Sequence, residues 1–352
     1  MSINFLVSVY NISGYLMSEL AALSELGAKI SILRTRYNDD PDELRYPDYR
    51  WIDRPSFTES DIPSLLKESF DVYLCCGWAD RLCLRLAKVL HDNGTKTVLS
   101  IDTPWQGVVK QYVHCLMSRF YLTRIFDWAW GAGVPQTKYL RLLGFSERRV
   151  RAGYYCADTN LFGPIGDERT ACPHVFLYVG RYASVKNMRR MERAFLKAVS
   201  QVPDSDWILR CVGGGDLWDE RTIDPRIEHL GWKSPEEIRD CARDAGCFVL
   251  PSVYEPWGVV VHEAALMGLP LLCSNQIQSA TAYLIEGENG YLFNPLDEDD
   301  IASAFRRVMA LGDDELLAMG RRSHQLGMTY TLSDWCRTAL EFVGAKSEGV
   351  GE

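Results

Sequence analysis

No stretch of this 352-residue chain approaches the ~20 apolar residues that a membrane-spanning helix needs, and no basic segment followed by a long apolar core opens it. The expectation is a cytoplasmic protein that at most touches the inner face of a membrane. The 11 cysteines include no C-x-x-C pair, their number is odd, and several lie inside apolar runs. They read as reduced thiols and not as a disulfide framework or a zinc site. The first turn after a strand pattern holds one glycine, so the G-x-G-x-x-G dinucleotide fingerprint is missing. Positive charge is in deficit as well: a net charge of −9 argues against a nucleic-acid binder.

What is present is the composition of an ordinary globular protein, 47% hydrophobic and 24% charged, with length enough for two cores. Residues 1–164 carry 19 Lys and Arg against 18 Asp and Glu, whereas the remainder carries 19 against 29. A near-neutral first half therefore precedes an acidic second half. The stretch 163–173, rich in Gly, Pro and charge, reads as the linker between them.

In the first half short apolar runs alternate with helical ones. Residues 3–10 predict a strand, 15–26 a helix closed by Gly27, and 28–33 the next strand, a β-α-β unit that implies a parallel sheet. Gly14 in the first turn is either a plain turn glycine or a point where backbone approaches a ligand phosphate. The strand pattern at 97–101 runs into Asp102-Thr103-Pro104-Trp105-Gln106-Gly107, a loop at the edge where open α/β sheets bind ligands. Asp102 and Trp105 are candidates there for holding an acceptor, by a carboxylate and by stacking on a sugar ring. A helix N-cap is the preferred alternative for Asp102. Residues 108–126 set Lys110, Arg119 and Arg124 among Tyr112, Phe120, Tyr121 and Phe126. Such a stretch can lie on an anionic membrane surface, and a core helix with one solvated face is the preferred alternative.

The second half repeats one device: a strand that ends in a polar or glycine-rich loop before a helix. The loops carry Arg181 and Lys186, then Gly213-Gly214-Gly215-Asp216, then Trp232 and Lys233, then Glu255-Pro256-Trp257-Gly258 leading to Glu263. Two cations, a glycine-rich turn and an open helix N-terminus suit a diphosphate. A carboxylate two turns into that helix can bond a hydroxyl of whatever carries the phosphates, which points to a nucleotide sugar. Singly, each of these residues has a plainer explanation as a surface charge or a helix cap.

Together, Gly180-Arg181…Lys186-Asn187, the Gly213–Gly215 run, Gly231-Trp232 and Glu255-Pro256-Trp257-Gly258…Glu263-Ala264 resemble the retaining glycosyltransferases with the Glu-x7-Glu motif. Sucrose synthase and bacterial mannosyl- and glucosyltransferases belong to that family. The resemblance covers about residues 175–330 and is weaker before them. It implies an α/β GT-B architecture of two Rossmann-like domains with parallel sheets facing a cleft. These would be an acceptor domain over 1–163, a nucleotide-sugar domain over 174–330, and a C-terminal helix and tail over 331–352 packing back on the first. It assigns Arg181 and Lys186 to the donor diphosphate and the leaving group, Glu255 to the sugar hydroxyls and Glu263 to the ribose. The amides of Trp257, Gly258 and Val259 would cover the sugar and phosphates. Gly14, Gly213, Gly214 and Lys233 complete the expected donor set, with Arg181, Lys186 and Glu255 catalytic.

The implied reaction moves a hexose from a nucleotide-diphosphate sugar, UDP by preference, to a glycan or lipid-linked acceptor, with no metal and no other cofactor. A family histidine on the first-domain loop is absent, since that loop reads Ser100-Ile101-Asp102-Thr103-Pro104. Asp102 or His114 is left to take its place, or the contact is missing. A nucleotide-sugar epimerase on the same fold and a binding subunit without turnover are the alternatives.

Overall fold

The computed structural model describes residues 2–10, 12–34, 48–164 and 170–344. Asn11 of the first turn, residues 165–169 of the expected linker and the tail beyond Gly344 lie outside them. The chain forms two compact units, one running to Cys156 and resuming at Leu332, the other Ala157–Thr331.

The first unit is a seven-stranded parallel sheet of β1 (Asn4–Val9), β2 (Lys29–Arg34), β3 (Arg50–Asp53), β4 (Val72–Cys76), β5 (Lys96–Ile101), β6 (Trp128–Gly131) and β7 (Val150–Ala152). Their order across the sheet is β3-β2-β1-β4-β5-β6-β7. Apolar runs such as Phe5-Leu6-Val7 are wholly buried because helices cover both faces of a parallel sheet. The helix Arg81–Asp92 starts where Asp80 accepts from the amides of Leu82 and Cys83. The same carboxylate takes a forked pair of bonds from Arg54 at 2.6 and 2.8 Å, which holds it below the usual carboxylate range. Edge strand β3 has no counterpart in the sequence reading. It is four residues long and half-buried, too short for a period-two pattern, and Trp51 within it carries the Arg34 guanidinium at 4.3 Å.

The helix Leu332–Glu341 belongs to this unit. Its Trp335 is fully buried, lies 5.1 Å from the Trp130 ring, and donates its indole N–H to the Tyr154 carbonyl at 2.8 Å. Where the chain leaves the unit, the buried Glu19 carboxyl accepts from the Cys156 amide at 2.6 Å, and burial pushes its pKa up.

The stretch 108–126 corrects the preferred expectation. It forms a helix Val109–Ser118 and a short helix Leu122–Ile125, and it is not a core helix with its polar side in water. On Val109–Ser118 the buried residues are Gln111 and Ser118. Gln111 faces inward because its amide serves loop backbone: Nε2 donates to the Pro104 carbonyl at 2.9 Å, and Oε1 accepts from Gln106 and Gly107 at 2.8 and 3.1 Å. The apolar side chains are left facing outward.

The second unit is a six-stranded parallel sheet of β8 (Val175–Val179), β9 (Ile208–Val212), β10 (Ile227–His229), β11 (Cys247–Leu250), β12 (Leu271–Ser274) and β13 (Gly290–Phe293), in the order β10-β9-β8-β11-β12-β13. One side is closed by the helices Met188–Ser200 and Glu298–Met309 over Phe176, Phe195, Trp207 and Phe305. His262 stacks on Tyr283 at 4.2 Å, accepts from the Ala157 amide at Nδ1 (3.1 Å) and faces the Gly327 carbonyl at Nε2 (2.9 Å). Burial lowers its pKa to about 4, so the ring is neutral with its proton on Nε2.

In both sheets the strand order reverses once, between β1 and β4 and between β8 and β11. A doubly wound sheet opens a crevice at the carboxyl ends of such a pair, because the two connections leave to opposite faces.

Candidate functional site

At the β8/β11 switch of the second unit the two connections are bonded to each other. The Val253 amide donates to the Val185 carbonyl at 2.9 Å. Lys186 and Glu255 form an ion pair across the gap, both side chains largely withdrawn from water. Ser252 Oγ adds a bond to the same carboxylate oxygen at 3.3 Å. Asn187 fixes the lysine loop: it takes a left-handed conformation (φ 58°) and donates to the carbonyls of Pro251 (3.2 Å) and Pro295 (2.7 Å). Arg181 lies exposed on the same connection.

Beside this pair the glycine loops close a backbone cradle. The Gly180 amide donates to Val212, Tyr182 to Gly214 and Gly213 to Gly231, at 3.0, 2.9 and 2.8 Å. Gly213 has φ +133°, and a Cβ there would stand 2.0 Å from the Gly180 oxygen, so only glycine permits the approach. The helix Val259–Leu266 begins at Gly258 (φ +91°), which offers no side chain to accept its first amides. Ser279 holds the loop by bonding the carbonyls of Trp257 and Gly258, at 3.0 and 2.8 Å, which fixes the direction of the peptide groups. Free amides at a helix N-terminus beside a cation form an anion site. One turn on, burial, with the charge of Asp158 second, raises Glu263 to about 7.

The second unit thus brings together Arg181, Lys186, Gly213, Gly214, Glu255, Trp257, Gly258, Val259 and Glu263 on the carboxyl edge of one sheet. Lys233 follows β10 on that edge, but its ammonium is paired with Glu237 at 2.9 Å on the next helix, which raises its pKa. That helix starts with the expected capping box at Ser234 and Glu237.

The first unit has a cavity of about 600 Å³ at its own switch point. Asp102 and His114 line it with Tyr10, Tyr15, Trp78 and Tyr155. Asp102 is not an N-cap: the next helix starts at Val109, capped by Val108. His114 Nδ1 lies 3.3 Å from the Tyr139 hydroxyl, and burial lowers its pKa. Trp105 packs on Tyr139 (5.6 Å) and Tyr112 (5.0 Å), while Trp78 takes a place on the wall. Gly14 opens the helix Gly14–Glu25 next to Ser13, which lines the cavity and caps that helix. The sequence reading passed over Tyr10, Trp78 and Tyr155. Their signal was available, an aromatic within three residues of a strand's carboxyl end.

A sequence profile described as "Glycosyl transferases group 1" matches residues 173–310. The chain is 26% identical over 189 residues to a D-inositol 3-phosphate glycosyltransferase of Corynebacterium kroppenstedtii, which covers 47% of this chain and 42% of that protein. It is 29% identical over 154 residues to the UDP-Gal:alpha-D-GlcNAc-diphosphoundecaprenol alpha-1,3-galactosyltransferase of Escherichia coli, covering 41% of this chain and 38% of that one. The chain therefore spans less than half of the length of these relatives. Among solved structures, Anabaena HepE in complex with UDP and glucose matches with a TM-score of 0.73 at 13% identity, over 97% of this chain and 99% of its own. The two parallel sheets and these likenesses converge: residues 173–310 match the glycosyl transferases group 1 profile, and the chain has the GT-B fold.

Proposed function

We propose that this protein is a glycosyltransferase that moves a hexose from a UDP-sugar to a glycan or lipid-linked acceptor, with retention at the anomeric carbon. The observation that carries the reading is the Lys186–Glu255 pair at the β8/β11 switch, flanked by the glycine cradle and by the open N-terminus of Val259–Leu266. In the reaction the bond from the anomeric carbon to the diphosphate oxygen breaks, and a bond to the acceptor oxygen forms on the same face. The acceptor proton passes to the departing phosphate oxygen. Charge grows on the leaving diphosphate, where Arg181, Lys186 and the helix amides neutralise it without reorganising. The reading therefore assigns no metal and no further cofactor. Glu255 orients the sugar and, once the diphosphate engages Lys186, is released toward its hydroxyls. Glu263 receives the ribose, and Gly213, Gly214 and the Trp257–Val259 amides complete the donor contacts.

Uridine as the base is supported by the neighbour solved with UDP and glucose and by the UDP-Gal-named relative. The cavity with Asp102 and His114 is the acceptor pocket in this reading. Eleven unbridged cysteines fit the reducing cytoplasm.

The test is thermal unfolding with UDP, GDP and ADP, with and without a chelator, followed by donor turnover of Lys186→Ala and Arg181→Ala. A nucleotide that binds only the folded chain raises the midpoint by mass action. UDP is expected to raise it with chelator present, and each variant to lose about 10²–10³-fold in turnover. A shift with GDP or ADP alone would overturn the uridine assignment, and undiminished turnover in both variants would overturn the site.

A further inference from the structure

The helix Val109–Ser118 and the turn after it are built inside out. Eight large apolar side chains lie exposed within fourteen residues: Val108, Val109, Tyr112, Val113, Leu116, Met117, Phe120 and Tyr121, from 44% (Tyr121) to 79% (Val109). Through the helix they recur at three- and four-residue intervals, so they form one stripe and not scattered exposures. Monomeric soluble proteins rarely leave a contiguous apolar patch of that kind. The charges around it have one sign. From residue 103 to residue 126 the chain carries Lys110, Arg119 and Arg124 and no carboxylate, and all three cations are exposed. Arg119 and Arg124 flank the C-terminal end of the stripe.

We infer that this face docks on an anionic lipid bilayer, with the apolar stripe entering the headgroup boundary and the three cations meeting lipid phosphates. Charge complementarity decides the occupant: an apolar stripe on a segment with three exposed cations and no carboxylate matches a negatively charged surface, and like charges oppose a second copy of the same face. No helix among the described residues is long and apolar enough to cross a membrane, so the contact is peripheral. The same helix reaches the cavity of the first unit, since Val108, Lys110, Gln111 and His114 line its wall. The face with Gln111 and His114 therefore borders the pocket, the face with Tyr112, Val113, Leu116 and Met117 meets the bilayer, and Val108 and Lys110 stand at the margin between them. Resting on the reading of that pocket as the acceptor site, the acceptor is a glycan anchored in the same bilayer and presented at its surface.

The experiment is flotation of the full chain with vesicles of phosphatidylcholine alone or mixed with phosphatidylglycerol. The expected result is flotation with the mixed vesicles only, reversed by salt. Arg119→Gln with Arg124→Gln should weaken the partition about fivefold per cation. Leu116→Glu with Met117→Glu should weaken it at least about tenfold. None of these four residues lines the cavity, and a near-ultraviolet circular dichroism spectrum like that of the wild type, to which the buried Trp130 of the same unit contributes, shows each variant folded. Flotation with neither vesicle, flotation equal in all variants, or a dimer that Leu116→Glu with Met117→Glu converts to monomer would each overturn the docking. A protein that floats but gives no midpoint shift with any nucleotide keeps the docking and removes the transfer reading instead.

Discussion

Ionising Glu263 costs the second unit stability, and the cost can be read from pH. Burial, reinforced by Asp158, raises its carboxyl from 4.5 to about 7. A carboxyl raised on folding keeps its proton longer in the native state than in the unfolded chain. Its contribution is intact below the ordinary carboxylate range and is lost as pH climbs through about 7. At 1.36 kcal/mol per pKa unit the full shift corresponds to about 3 kcal/mol, and partial exposure of the side chain reduces this to about 2. Glu263→Gln keeps the shape and removes the charge. Between about pH 5 and about pH 8.5 the variant should gain about 2 kcal/mol on the wild type, or about 4–8 °C in midpoint for a unit of this size. The assay is thermal unfolding of both proteins across that pH range, without nucleotide. A difference between them that stays constant with pH would refute the argument, because a lost contact without ionisation has no pH slope. If the ribose bonds the ionised carboxylate, saturating UDP should flatten the slope of the wild type and leave the variant unchanged.

Two further perturbations test the architecture around the sites. Gly213→Ala places a Cβ 2.0 Å from the Gly180 oxygen at φ +133°, whereas a Cβ on Gly214 meets nothing within 4 Å. The first should destabilise the second unit by about 2 kcal/mol or more and abolish the UDP-induced rise in midpoint, whereas Gly214→Ala should leave the stability of the unliganded protein unchanged; equal destabilisation by the two would refute the cradle. Trp335→Ala should cost the first unit about 3–5 kcal/mol in denaturant unfolding, because it empties the site beside Trp130 and orphans the Tyr154 carbonyl. Trp335→Phe should cost far less, about 1 kcal/mol from the lost hydrogen bond. A loss below about 1 kcal/mol for the alanine variant would show that the C-terminal helix does not hold this unit.

The residues that were legible in the sequence are those whose role is backbone-local. Ser234 and Glu237 declare a helix start because both partners of a capping box lie within one turn. Gly213 and Gly258 stood out because a loop that must approach other backbone accepts no Cβ. The apolar runs of β1, β4, β8 and β11 marked parallel strands because both faces of such a sheet are covered. Strand β3 escaped because four half-buried residues carry no period.

What the sequence determined by itself is the alternation of strand, loop and helix, and the loops that carry Arg181, Lys186, Glu255 and Glu263. Tertiary structure decided what those residues meet: that Lys186 pairs with Glu255 across a reversal of strand order, that Lys233 is taken by Glu237, and that Asp102 faces a cavity and caps no helix. It also decided which side of Val109–Ser118 faces water. Periodicity gives the two faces of a helix but not which one is inward, and here three hydrogen bonds at Gln111 turned the polar face in and left the apolar one to the outside.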